Sequence, residues 1–409
     1  MSDSALGFAR ANARWIGAGA LMALCSGFGQ TYFISIFAGN IRADFGLSHG
    51  GWGALYASGT LASAAVMLWA GGLADRFRLR GLGSAVLLGL AVACCAMALA
   101  SQVWMLPFVV FLLRLFGQGM ASHVAMIAMA RWFAANRGKA IAFAAFGFSV
   151  GEALLPIVFV ALMGIAAWQS LWFLCAGLLV AATVLLRHLL RSERQPQSYA
   201  ESDSSHGLEG RHWTRREALQ SRAFWLLAPA LFAPSCFVTA FFFQQVHVAE
   251  AKGVAHLALV ALFPLYTGLS VAAMFATGWA VDRFGTARLL PFYQMPMALG
   301  FCALAGFGGL TGIALAMGLM ALTTGANAPL PAAVMADLFG TRHLGAIKAV
   351  ATAIMVLGSA VGPILSGVLI DAGLAFPAQG WGIAVVFVGV SLALVPLARR
   401  LRAPLAVAL

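Results

Sequence analysis

The sequence predicts an all-α membrane protein of twelve transmembrane helices in two pseudo-symmetric six-helix bundles, and three observations carry that prediction. Apolar residues make up 62% of the 409 positions and charged residues 9%, which leaves too little polar surface to cover a water-soluble globule. The apolar residues fall into runs of about 20, the length a helix needs to cross the hydrocarbon core while satisfying its own backbone hydrogen bonds. A β-barrel would need alternating polarity, which the runs lack. One long polar segment near the middle divides them into two equal sets.

Gly, Pro and charged residues punctuate the first set into spans at 15–39, 51–72, 81–101, 104–130, 140–163 and 168–190. The second set follows at 223–247, 258–279, 288–307, 311–336, 346–370 and 377–398. Met1 to Arg14 is polar and basic, and the run after it is too long for a cleaved signal sequence, so it is expected to stay as the first span. Arg191 to Arg222 is rich in Ser, Glu, Gln and Arg and reads as a solvated linker ending in an amphipathic stretch. The expected organisation is an N-terminal bundle over 1–190, a cytoplasmic linker over 191–222 and a C-terminal bundle over 223–409.

Cytoplasmic loops retain Lys and Arg during insertion. With the amino terminus inside, the 25 basic residues fall in inner segments with three exceptions: Arg42 and Lys252 in outer loops and Arg114 within a span. Omitting one helix would scramble the sidedness of every later loop. The bias therefore predicts a multi-pass protein of the cell inner membrane with both termini cytoplasmic.

A net charge of +12 is spread over these short loops rather than gathered on one face, so no nucleic-acid partner is expected. The six cysteines lie in apolar stretches without CxxC or tetrahedral metal spacing and read as packing residues, with no metal site and no cofactor. No nucleophile, base and orienting residue can be identified together, which argues against an enzyme. No GxxxxGK(S/T) loop is present to drive transport by nucleotide hydrolysis. The expected partners are the bilayer, a small-molecule substrate and protons, with the chain acting as a monomer.

An internal repeat supports two related halves. Gly71-Gly72-Leu73-Ala74-Asp75-Arg76-Phe77 recurs as Gly278-Trp279-Ala280-Val281-Asp282-Arg283-Phe284, each copy following the second span of its half. Glycines let helix ends approach closely, and an Asp beside an Arg in a tight loop can cap a helix or pair across it.

Here the chain resembles the major facilitator superfamily, whose signature between the second and third spans runs Gly-x-Leu-Ala-Asp-Arg-x-Gly-Arg-Lys. Arg78 stands where that signature has its second glycine, whereas the second copy keeps it as Gly285. The fourth span carries Arg114-Leu115-Phe116-Gly117-Gln118-Gly119, similar to the family's fourth-helix pattern. The fifth reads Gly147-Phe148-Ser149-Val150-Gly151-Glu152, with Glu152 in place of the proline usual in the family's drug and proton antiporters; the eleventh keeps that proline in Gly358-Ser359-Ala360-Val361-Gly362-Pro363.

The resemblance implies a proton-coupled secondary transporter, a symporter working by alternating access between two bundles. It also implies that the first, fourth, seventh and tenth helices line a central cavity. Gln30, Tyr32, Gln118, Gln244, Gln245, His247, Thr323, Thr324 and Asn327 are then candidates for substrate contact, or for bonds to neighbouring helices. The paired loops carrying Asp75, Arg76, Asp282 and Arg283 become candidate inner latches, or plain helix caps.

Ionisable groups in hydrocarbon cost about 2.5 to 3.5 kcal/mol at mid-helix on insertion scales, so those present call for an account. Arg114 lies about 15 Å down its span and Glu152 about 18 Å up its own, at 1.5 Å per residue. The two could meet, or both face a watery cavity. If Glu152 binds a proton and Arg114 either competes for it or holds an anionic substrate, loss of the Arg to substrate eases protonation of the carboxylate, which is a coupling device. A permanent ion pair that locks two helices is the alternative. His123, with Met120, Met126 and Met129 at three-residue steps, admits a copper path, a cavity histidine or ordinary packing.

The function expected is transport of a small organic anion such as a monocarboxylate, because Arg114 is the lone cation within a span. Export of drugs or metabolites, copper import, and a non-transporting sensor or assembly factor on the same scaffold are the alternatives.

Overall fold

A computed structural model describes residues 5–133, 136–192, 194 and 212–406, with the side chains of 5, 6, 75 and 402–406 excepted. The described residues are nearly all helical and contain no strand. They form two compact units, 1–201 and 202–409.

Among the described residues, ten helices are long and apolar enough to cross a membrane, and an eleventh span is a bent pair. Nine of the ten straight spans match an expected run to within a few residues, from His49–Ala70 to Leu344–Asp371, and the last, Phe376–Leu401, runs slightly beyond its run. Two expected spans differ. The first is not one helix over 15–39 but Ala13–Gly29 followed by Thr31–Phe45, bent by 48° at Gln30. The ninth, expected over 288–307, is a turn of helix at Thr286–Leu289, an irregular stretch and the short helix Met295–Gly306.

Two features meet at the second interruption: Pro291 and Pro296, which have no N–H to offer a helix, and a side chain from another span. In a regular helix the Met297 N–H would donate to the Tyr293 carbonyl. Here the Thr323 hydroxyl of the tenth span sits between them, accepting from Met297 N at 3.1 Å and donating to Tyr293 O at 3.0 Å. A side chain inserted in the ladder is a recognised cause of a break. Thr323 is fully buried in this role, a bond to a neighbouring helix, which is one of the two alternatives its position left open.

Both units use one packing plan. In the first, the first span packs on the fifth, the second on the fourth and the third on the sixth; in the second, the seventh packs on the eleventh, the eighth on the tenth and the ninth on the twelfth. Paired glycines set the first of these contacts in each unit. Gly147 and Gly151 of the fifth span lie against Ala20 and Leu24 of the first, and Gly358 and Gly362 of the eleventh lie against Phe232 and Cys236 of the seventh. A Cβ at Gly147 would collide with the Ala20 carbonyl and one at Gly362 with the Cys236 carbonyl, so the backbones meet without intervening side chains.

Proline leaves a polar debt in the seventh span. Pro234 has no N–H to offer the Ala230 carbonyl. Tyr293 Oη and Gln294 Nε2 supply it instead, at 3.1 and 2.7 Å, from the irregular stretch of the ninth span. In lipid such a carbonyl has no water to turn to, which explains two buried polar side chains in an apolar neighbourhood.

Of the linker, residues 191, 192, 194 and 212–222 are described. Thr214 and Glu217 close a capping box on the short helix Arg215–Gln220. The Trp213 amide donates to the Phe339 carbonyl, and the two rings meet edge to face.

Candidate functional site

The break in the first span builds the site in the N-terminal unit. Gly27-Phe28-Gly29 is a stretch of glycines in a tight helical turn, and Gln30 then adopts an extended conformation. The Phe33 amide turns to the Gln30 carbonyl, leaving that of Gly29 without a helical partner. Opposite it, the fourth span widens into a π-helical stretch over Arg114–Ala121. Such bulges occur mostly at functional positions. Gly29 and Gly117 face each other with no room for a Cβ at either, and this closeness brings Arg114, one turn earlier, to the exposed carbonyl.

Arg114 is 1% exposed. Its guanidinium donates to the Gly29 carbonyl and to Thr31 Oγ1, both at 3.3 Å, and lies 5.5 Å from the centre of the Tyr56 ring of the second span. Thr31 Oγ1 and Tyr56 Oη are themselves bonded at 2.7 Å. Every one of these partners is neutral, and Nε finds no acceptor among the described residues. Thr31 and Tyr56 did not stand out in the sequence; the polar Gln30-Thr31 pair after Gly27-Phe28-Gly29, in the middle of an apolar run, is the signal that could have found the first of them.

Glu152 occupies a different wall. It is half-buried on the fifth span, beside Gly151, which faces the Tyr32 hydroxyl. Tyr32 stacks edge to face at 6.0 Å on Phe148, which lies one turn before Glu152 on the same span. The sequence left open whether Arg114 and Glu152 meet; the Arg114 guanidinium bonds to the first-span break, at Gly29 and Thr31. The two groups are linked through consecutive residues, Thr31 turned to Arg114 and Tyr32 turned to the fifth span.

The other expected residues scatter. Gln30 and Gln118 are half-buried near the break. His123 sends Nε2 to the Gly71 carbonyl at 3.2 Å, and Met129 packs on Gly19, so His123 and the methionines do not share one face. No group of three or more His, Cys, Asp or Glu able to hold a metal is found among the described residues. In the C-terminal unit Gln244 donates to Ser366 Oγ at 3.2 Å, Gln245 accepts from His256 at 3.4 Å, and His247 accepts from the Phe376 amide at 3.3 Å. Thr324 accepts from Tyr266 Oη at 3.0 Å, and Asn327 is half-buried.

Of the loop residues, Arg76, Asp282 and Arg283 are exposed, and the side chain of Asp75 lies outside the described residues. The first loop is fastened to the fourth span by Arg131, which donates to the Ala74 carbonyl at 3.0 Å. After the second, Thr286 donates to Asp337 of the tenth span at 2.7 Å.

The family described as the Major Facilitator Superfamily matches residues 19–313 and 247–408. Among solved structures, a bacterial homologue of the human lysosomal transporter Spinster, inward-facing and unoccupied, has a TM-score of 0.71 at 14% identity, covering 95% of this chain and 94% of that one. The nucleoside transporter NupG gives 0.67 at 12% identity, covering 95% and 99%. Likeness at such identity is one of fold. Curated relatives described as the Multidrug resistance protein B homolog, from two strains of Mycobacterium tuberculosis, are 35% identical over 120 residues, which is 25% of this chain and only 19% of theirs.

Proposed function

Because the chain belongs to the major facilitator superfamily, an integral membrane family of transporters rather than enzymes, we propose that it is a secondary transporter moving a small organic anion, together with protons, across the inner membrane with both termini in the cytoplasm. The observation that carries the anion is Arg114: a full positive charge, 1% exposed, among neutral partners. A buried charge without a counter-charge is costly, and residues that persist in that state within a membrane span serve binding or translocation. A carboxylate arriving at the first-span break offsets that cost and can take up the spare Nε donor in a charge-assisted bond.

Proton coupling rests on Glu152. Substrate drawn to Arg114 acts on Thr31, and Tyr32 next to it stands over the fifth span beside the carboxylate, so a shift at the break reaches Glu152 without direct contact between the charges. One proton carried with one monocarboxylate moves no net charge, so accumulation follows the pH difference across the membrane, about 1.4 kcal/mol or tenfold per pH unit.

Export of drugs is the second reading, favoured by the 120-residue likeness to multidrug resistance homologues. A thermal-unfolding panel in detergent separates the two. Small monocarboxylates are expected to raise the unfolding temperature, and cationic drugs and neutral metabolites to leave it unchanged. Stabilisation by cationic drugs alone would replace the anion reading with the export one.

A further inference from the structure

A second basic site lies in the N-terminal unit, away from Arg114, where the loop after the second span meets the ends of the third and sixth. A recess of about 620 Å³ opens there to the surface. Arg78, Arg80 and Arg191 line it, all three exposed, and no acidic residue is among its described lining residues. Its other walls are apolar, with Phe77 57% exposed at the rim. Arg78 is the residue that stands where the family signature has a glycine, so this arginine is a feature of the chain itself.

The recess continues into a lipid-facing track. Gly81 has open space beside it, and Ala85, Leu88 and Val92 follow on the same exposed side of the third span. Three guanidiniums at the head of an apolar stripe match one kind of molecule: a phosphodiester attached to acyl chains. Arginine forks suit phosphate oxygens. The charge asymmetry of the loops puts this end at the cytoplasmic face, where anionic lipid meets basic juxtamembrane residues.

We propose that Arg78, Arg80 and Arg191 form a binding site for the headgroup of an anionic phospholipid, whose acyl chain lies along Ala85, Leu88 and Val92. Headgroup occupancy ties the loop after the second span to the end of the sixth span, so it stabilises the N-terminal unit. This proposal is independent of the transported substrate.

The test adds phosphatidylglycerol or phosphatidylcholine to the detergent-purified protein and follows thermal unfolding, with native mass spectrometry counting retained lipids. Phosphatidylglycerol is expected to raise the unfolding temperature by about 5 °C and to remain bound, whereas phosphatidylcholine does neither. The triple variant R78Q/R80Q/R191Q is expected to lose the shift and the bound lipid, and R78K/R80K/R191K to keep most of both. The unfolding temperature of each variant without lipid, compared with that of the wild type, reads any loss of fold separately from loss of the lipid response. An equal response of wild type and the Gln variant, or equal stabilisation by phosphatidylcholine, would overturn the proposal. So would free glycerol phosphate reproducing the shift, because the site would then be one for soluble phosphate.

Discussion

Replacing Arg114 by Gln is expected to reduce substrate uptake by tenfold to more than a hundred-fold in reconstituted vesicles while leaving a folded protein. A glutamine amide can still donate to the Gly29 carbonyl or to Thr31, so the hydrogen bond that fastens the first-span break survives. What disappears is the charge. Loss of a charged hydrogen bond to a carboxylate is worth about 1.5 to 3 kcal/mol, or tenfold to more than a hundredfold. Arg114→Lys keeps the charge but not the planar fork, and should retain a measurable fraction of uptake. The order wild type, Lys, Gln is diagnostic. Were Arg114 only a strut between the fourth and first spans, Gln would transport better than Lys, because it reproduces the bond without burying a charge.

Replacing Glu152 by Gln should abolish the pH dependence of uptake while sparing counterflow exchange, in which labelled and unlabelled substrate trade places without net proton movement. The substitution removes the carboxylate proposed to take up the proton, while the amide is nearly the same size and the Gly147 and Gly151 contacts that hold the fifth span are untouched. Tyr32→Phe keeps the ring contact with Phe148 and removes only the hydroxyl beside Glu152, so it should displace the midpoint of the pH profile without erasing it. A pH profile unchanged by Glu152→Gln would remove Glu152 from the proton path.

Most of the fold was legible from apolar run length and charge placement, because the bilayer imposes both on any chain that crosses it. The two misread spans fail for local reasons that hydropathy does not see. Gln30 breaks the first span because two glycines weaken the helix before it, and the ninth is opened where Pro291 and Pro296 meet Thr323 from another helix. The site was half legible. Arg114 and Glu152 stood out by their cost in hydrocarbon, and the structure keeps both in the interior of the N-terminal unit. Their partners were not visible, because Gly29 contributes a backbone carbonyl and Tyr56 an aromatic face. Neither residue type is unusual in a membrane span. Among polar residues of the C-terminal unit, Gln244 was a candidate by its place on the seventh span, whereas Gln294 was not singled out. Only the structure reveals that Gln294 answers the debt left by Pro234.

Proton entry into liposomes holding the purified protein, read by a trapped pH dye as organic anions are added outside, tests proton-coupled anion transport most directly. The expected result is acidification of the lumen with small monocarboxylates, absent with neutral solutes and lost in Glu152→Gln. Uptake of labelled anion with no acidification, by a preparation verified as folded, would contradict it.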